Sequence, residues 1–232
     1  MIQLFPEGFE EREDDGDVEL AAYTDAGGEE RLRQVFEGAT TAAVPEDWEE
    51  RWRQFHHPVR VGRLWIGPPW ERAPADAVAV VIEPGRAFGT GSHPTTMLCL
   101  GHLLELEPTG LVDVGCGSGV LAIAAARLGF SPVVAVDLDP VAVAICRDNA
   151  RANGVEIEVR LGNAAETELP ATGVALLNIA LDPVIELGPT LAAERLVTSG
   201  YLEVQEPELP GYRHEARKAA AGWAADLYAR AE

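Results

Sequence analysis

The chain has 232 residues, 47% of them hydrophobic, with 38 acidic side chains against 18 basic ones and a formal net charge of −20. That apolar share can build a core, and the length fits either one large domain or one domain with a small appendage. The acid excess argues against a nucleic-acid partner, since phosphate binding wants clustered Lys and Arg, and no apolar run reaches the ~20 residues of a membrane-spanning helix.

The first residues are acidic and lack the basic-then-apolar pattern of a signal peptide. Residues 1–53 carry a net charge of −11 and residues 54–232 a net of −9. Within the acidic part, residues 18–24 read as a short strand. Residues 29–36 read as an amphipathic helix with Leu32, Val35 and Phe36 inward. Residues 46–55 read as a second helix with Trp48, Trp52 and Phe55 on one face. A Trp- and Pro-rich passage follows, and four of the five tryptophans lie between residues 48 and 70. It reads as a hydrophobic seam between module and main domain, with a substrate-facing aromatic surface as the alternative. The expected division is therefore a module at 1–55, a linker at 56–76 and a main domain at 77–232.

From residue 77 onward strand-like and helix-like segments alternate. Strands are expected at 78–82, 110–114, 133–136, 157–161, 174–178 and 196–204, and helices at 95–106, 119–128, 141–153 and 184–194. This is the punctuation of an α/β fold with a mostly parallel sheet covered on both faces. Asp139 before Pro140 reads as the N-cap of the 141–153 helix. Cys99, Cys116 and Cys146 have no CxxC spacing, which suits a reducing cytoplasm and gives no metal signal. Lys218 is the sole lysine; that scarcity beside so much acid reflects either source composition or a salty cytoplasm.

The densest chemistry is Asp113-Val-Gly115-Cys-Gly117-Ser-Gly119, which follows a strand and opens a helix. Gly115 and Gly117 let the backbone turn sharply and approach a ligand, and the helix start offers N–H groups. A glycine loop alone also fits a NAD-binding fingerprint. Asp113, however, is an acid where a pyrophosphate would not want one; it suits a cationic ligand region such as an ammonium or sulfonium. Asp137, 22 residues after Gly115 at the end of the next strand, is placed to accept from ribose hydroxyls, with Leu138 beside it. Asn163 or Ala164, after the third strand, is expected near the nucleobase.

This Asp113–Gly119 loop with Asp137 resembles the nucleotide-binding half of the class I S-adenosylmethionine-dependent methyltransferases. A second segment, Ile82-Glu-Pro-Gly-Arg-Ala-Phe-Gly-Thr-Gly-Ser-His-Pro-Thr-Thr96, resembles the EPGxAFGTGxHxTT signature of the PrmA-type methyltransferases, which modify amino groups of a large-subunit ribosomal protein. The likeness implies a class I, Rossmann-like fold preceded by a small α+β module, shortened relative to the family's ferredoxin-like domain. It implies S-adenosylmethionine as methyl donor, with S-adenosylhomocysteine as product. Carried over by residue, it implies that Thr96, Gly115, Asp137 and Asn178 contact the donor or the reacting centre, and that Phe88, Gly89, Thr90 and Gly91 cover the methionine end. Asn178, at the end of the fourth strand, would accept hydrogen bonds from the attacking amine. Glu83 is a weaker proton acceptor, and His93 fits a helix-opening role as well as a chemical one. The family's last strand is not evident, and residues 222–232 resemble its sixth. The expected substrate is a basic ribosomal protein met by a cytoplasmic monomer, without direct contact to nucleic acid or membrane. A different protein or small-amine substrate, a donor-binding protein without turnover, and a NAD-dependent enzyme are the alternatives.

Overall fold

The computed structural model describes residues 10–14, 17–21, 26–36, 38–40, 57–84 and 91–231. The chain divides into two compact units, residues 1–52 and 53–232. In the first, strands β1 (Glu10–Asp14) and β2 (Asp17–Ala21) pair antiparallel, and helix α1 (Ala26–Val35) follows. Arg33 and Glu29 form an i,i+4 ion pair at 2.6 Å on α1. Leu32 is half-buried. Val35 and Phe36, expected inward, are exposed instead; they sit at the end of the helix, where the chain bends at Phe36. The helix expected at 46–55 lies outside the described residues.

The second unit opens with a small sheet. β3 (Val59–Val61) pairs antiparallel with β4 (Leu64–Gly67), and β4 pairs parallel with β5 (Val78–Val81). The Trp- and Pro-rich passage read as a linker thus contains two strands, and the strand read at 78–82 belongs to this sheet and not to the main one. Leu64, Ile66 and Val80 are buried, so the small sheet turns an apolar face to the main body's core.

The main sheet has seven strands. Around the glycine loop run β6 (Leu111–Val114), α3 (Val120–Leu128), β7 (Val133–Asp137), α4 (Pro140–Ala152) and β8 (Glu158–Leu161). Helix α2 (Pro94–Leu103) precedes them. After them come β9 (Thr172–Asn178), α5 (Leu181–Leu187), β10 (Ala193–Leu202), β11 (Tyr212–Ala220) and β12 (Trp223–Arg230). The order across the sheet is β11-β12-β10-β9-β6-β7-β8. β8, β7, β6, β9 and β10 are mutually parallel, and β12 inserts antiparallel between β10 and β11.

Residues alternating along the strands feed two cores. Leu111, Ala135, Leu176 and Val197 pack with α2, α3 and α4 on one face. Val112, Val136, Leu177 and Leu196 pack with Val184 of α5 and with Tyr201 and Tyr228 on the other. Burial on both faces explains the unbroken Val/Leu runs.

Three expectations change. The residues taken for a sixth strand form the last, antiparallel strand, and the missing partner is β11, whose YRHEARKAA sequence alternates weakly and carries four charged side chains. A tight turn at Ala221 and Gly222, both at positive φ, joins β11 to β12, the backbone that two-residue hairpins need. The sheet therefore carries an antiparallel pair at this side, where the sequence showed no last strand. The helix expected at 184–194 begins and ends earlier, because Pro189 follows Gly188 and a short 3-10 turn replaces its second half.

Candidate functional site

The parallel strands end on one side of the sheet, and there a cleft of about 400 Å³ opens at the C-terminal ends of β6, β7, β8 and β9. Gly115, Gly117, Asp137, Leu138, Asn163, Ala164 and Asn178 all line it, with Ile179, Pro183 and Leu187 as an aliphatic wall. The neighbouring ends of β6 and β9 are where chain crossovers run to opposite faces, the usual place for a ligand crevice in such sheets.

The glycine loop is held from inside. Gly115 and Cys116 both donate their N–H to Val136 O, at 2.9 and 3.2 Å, and Gly119 donates to Cys116 O at 2.8 Å. Gly117 donates to Asp137 Oδ2 at 2.8 Å. Gly115 has φ 72°, and a Cβ there would collide with Ile179 Cγ2. The loop amides are thus engaged within the protein and are not set out as a phosphate cradle. Asp137 is half-exposed at the cleft. Its Oδ1 also accepts from Asp139 N–H at 3.0 Å, which aims the carboxylate while leaving each oxygen a further lone pair.

Asp113 does not line the cleft. It is 1% exposed, and its Oδ2 accepts from Ala122 N–H at 3.2 Å. Gly119, the N-cap of α3, has no side chain to satisfy the helix's first amides, so Asp113 serves one of them from the neighbouring strand. Burial pushes its carboxyl up to about 7, opposed by that hydrogen bond and reinforced by the charge of Asp137.

Thr96 is 1% exposed in the first turn of α2 and reaches the site through Asn178, whose Nδ2 donates to Thr96 Oγ1 at 3.4 Å. With its NH2 turned that way, Asn178 presents Oδ1, which is buried and has no partner among the described residues. Within the structure this is an acceptor awaiting a donor. Beside it, β10 passes close at Gly200, which has φ 100° and faces Ile179 O with no room for a Cβ.

Asn163 folds into its own turn. Its Oδ1 accepts from Ala165 N–H at 3.0 Å and its Nδ2 donates to Glu166 Oε1 at 3.3 Å, so it offers the cleft its backbone more than its amide. Leu138 is 70% exposed at the rim, an aliphatic surface open to a flat ligand. Asp139 caps α4 by accepting from Val141 N–H at 2.8 Å, and His93 caps α2, its Nδ1 within 2.7 Å of Thr95 Oγ1. Phe88, Gly89 and Thr90 lie outside the described residues.

Two residues near the site escape the sequence reading. Asn149 lies on the inward face of α4 and Asn153 is its C-cap, and both are buried. The available signal is positional: both fall on the i, i+3, i+4 stripe of Val143, Cys146 and Ala150, where an apolar residue is the norm.

The family model described as "Ribosomal protein L11 methyltransferase (PrmA)" matches residues 9–225. A ribosomal protein L11 methyltransferase of Vibrio cholerae is 46% identical over 185 residues, covering 75% of this chain and 62% of that protein. The corresponding protein of Aeromonas hydrophila is 44% identical over 174 residues, covering 71% and 60%. The chain thus spans about six tenths of the length of the curated relatives it matches. A crystal structure of ribosomal protein L11 methylase from Lactobacillus delbrueckii subsp. bulgaricus superposes with a TM-score of 0.69 at 26% identity, covering 76% of this chain and all of that one.

Proposed function

This chain belongs to the ribosomal protein L11 methyltransferase (PrmA) family, and on that premise we propose that it transfers methyl groups from S-adenosylmethionine to amino nitrogens of ribosomal protein L11. The fold is that of the class I methyltransferases. The single observation that carries the reading is the unpartnered, buried Asn178 Oδ1 at the cleft.

The cleft's chemistry suits the donor. Its size falls in the range of small-molecule sites. It offers an aliphatic wall for a heteroaromatic base, a strand-end carboxylate for hydroxyls, and loop amides already spent where a dinucleotide would need them free. Asp137 would hold the ribose, Leu138 and Ala164 the base, and Gly115 and Gly117 would bring the backbone against the remainder. When bound, S-adenosylmethionine supplies an electrophilic methyl carbon on a sulfonium sulfur.

The chain's own contribution is alignment. An amine attacks through its lone pair, so it must arrive neutral, and Asn178 Oδ1 accepts one of its N–H groups without adding charge. That fixes the direction of the lone pair, and Thr96 fixes the amide. Catalysis of this kind rests on proximity and orientation. The acidic unit 1–52 favours a basic protein as acceptor, approached in the cytoplasm, where thiols such as the buried Cys99, Cys116 and Cys146 stay reduced. We assign the enzyme a monomeric state and no nucleic-acid contact.

Incubation with labelled S-adenosylmethionine and purified ribosomal protein L11 should label the protein. No transfer to L11, with transfer to another amine, would leave the methyltransferase and remove the substrate. Thermal shift adds a separate check, since a native-state ligand stabilises by mass action: S-adenosylhomocysteine should raise Tm and NAD should not.

A further inference from the structure

Helix α4 carries a polar clamp that the catalytic reading does not use. Asn153 Oδ1 accepts from Val81 N–H at 2.8 Å, and its Nδ2 donates to Val81 O at 2.6 Å, the pattern of one strand residue pairing with another. The same Nδ2 also donates to Asn149 O at 2.8 Å. One turn earlier, Asn149 Oδ1 accepts from Glu83 N–H at 3.2 Å. Its Nδ2 donates to Ser118 O, inside the glycine loop, at 2.9 Å. The two amides therefore do different work. Asn153 closes the edge of β5. Asn149 ties the stretch just past β5 to the glycine loop, two segments 35 residues apart in sequence.

Both side chains are nearly sealed from water, 3% exposed for Asn149 and 6% for Asn153. A primary amide in such a place is costly unless each half is paired, and here each half is. The amide also has a fixed polarity: one end must accept and the other must donate. Only an Asn-sized amide at residue 149 satisfies Glu83 N–H and Ser118 O together. The far end of the same helix starts at Asp139, two residues from Asp137, whose carboxylate holds Gly117 N–H. Helix α4 thus grips the glycine loop at Gly117 through the strand end and at Ser118 through Asn149.

We propose that Asn149 is a positioning residue for the donor cleft, setting the glycine loop against the chain that leaves β5. It touches no ligand itself and acts through Ser118. The inference rests on the reading of the cleft as the donor site.

The test compares Asn149→Ala, Asn149→Asp and Asn153→Ala with the parent by calorimetric titration with S-adenosylhomocysteine, by thermal unfolding without ligand, and by hydrogen exchange at the Glu83 amide. A parent that fails to bind S-adenosylhomocysteine refutes the cleft reading. A parent that binds isolates the role of Asn149. Asn149→Ala should weaken binding at least tenfold and speed Glu83 exchange. Asn149→Asp keeps the acceptor for Glu83 but sets an oxygen against Ser118 O, so it should slow Glu83 exchange relative to the alanine variant without restoring affinity. Asn153→Ala should lower Tm at least as much as Asn149→Ala yet leave affinity within about threefold. Affinity loss that tracks Tm equally in both alanine variants, or Asn149→Ala binding within twofold of the parent, would overturn the proposal.

Discussion

Asn178 keeps a buried acceptor without a donor, a state worth about 1–3 kcal/mol of lost stability, and its place at the cleft gives that cost a use. Asn178→Ala should lower kcat at least a hundredfold, leave S-adenosylhomocysteine affinity within about threefold, and leave Tm no lower than the parent's; single-turnover kinetics and calorimetry check this. Equal losses of affinity and turnover would mean that Asn178 binds the donor and does not orient the amine. Asp113 poses the opposite case, a carboxyl pushed up to about 7 by burial. Its unfolded value is about 3.9. Between those two values the native chain holds a proton that the unfolded chain has released, so stability falls as pH rises through this window and the full contribution is present only below about pH 4. Asp113→Asn cannot ionise but still accepts from Ala122 N–H. Its urea midpoint should therefore vary less between pH 5 and 8, with the variant gaining on the parent toward pH 8 by a few kcal/mol, at ~1.4 kcal/mol per unit. Identical pH slopes for the two proteins would refute the assignment. These residues were unequally legible in the sequence. Asp137 stands at a strand end 22 residues after Gly115, where spacing exposes it, whereas Asn178 is marked only through the family resemblance. Asp113 is visible as an acid before the loop, but its service to α3 depends on Ala122, nine residues on, and on a depth that no local pattern reports. Asn149 and Asn153 look like ordinary polar helix residues until the stripe they occupy is known to face inward.

Among the elements, β6, β7 and β9 were readable because burial on both faces leaves a run of Val, Leu and Ala that only a central strand explains. β11 was not readable, because its partner covers one edge only and its side chains face water on much of their surface; Tyr212–Ala220 has the composition of a helix, and the hairpin with β12 overrides that propensity. A buried carboxylate binds the pair. Asp226, 0% exposed on β12, meets His214 Nε2 at 2.7 Å, accepts from Arg217 Nε and Nη2 at 2.8 Å, and accepts from Tyr201 O–H at 2.8 Å. Arg217 also donates to Glu203 O and Gln205 O, so the same guanidinium anchors the loop after β10. Burial alone would raise the Asp226 carboxyl, but the bonds from Arg217, His214 and Tyr201 outweigh it and hold the group below the usual carboxylate range. The sign is the reverse of Asp113: the stabilisation is present above about pH 4 and is lost as pH falls further, through the folded value. Asp226→Asn removes the charge while keeping the volume, and should cost roughly 3 kcal/mol in urea unfolding at pH 7 because Arg217 loses its buried counter-charge and keeps only the exposed Glu206 at 4.0 Å. The deficit should shrink as the pH falls below about 4, as the parent's carboxylate is progressively protonated. A pH-independent deficit would assign the effect to packing.

At the scale of the whole molecule, the charge is the property that bears on the proposed acceptor. A net of −20, more than half of it within the first 53 residues, produces a field that attracts cations over roughly a Debye length, ~10 Å at 0.1 M salt. A basic protein approaching such a chain is steered, and steering shows in the encounter rate far more than in the chemistry. The demethylated product differs in kind, since S-adenosylhomocysteine has lost the sulfonium charge and carries one ammonium and one carboxylate, and so no net charge. Raising salt from about 0.05 to about 0.5 M should therefore lower kcat/KM for ribosomal protein L11 at least tenfold, with kcat at saturation nearly constant and S-adenosylhomocysteine affinity within about twofold. Replacing Glu29 and Glu30 on α1 by Gln reduces the negative charge of the N-terminal unit while leaving every residue that lines the cleft unchanged, and should reduce the steepness of that salt dependence. If kcat/KM is flat in salt, the acidic unit does not recruit the substrate, and acceptor choice must then rest on short-range contacts at the mouth of the cleft.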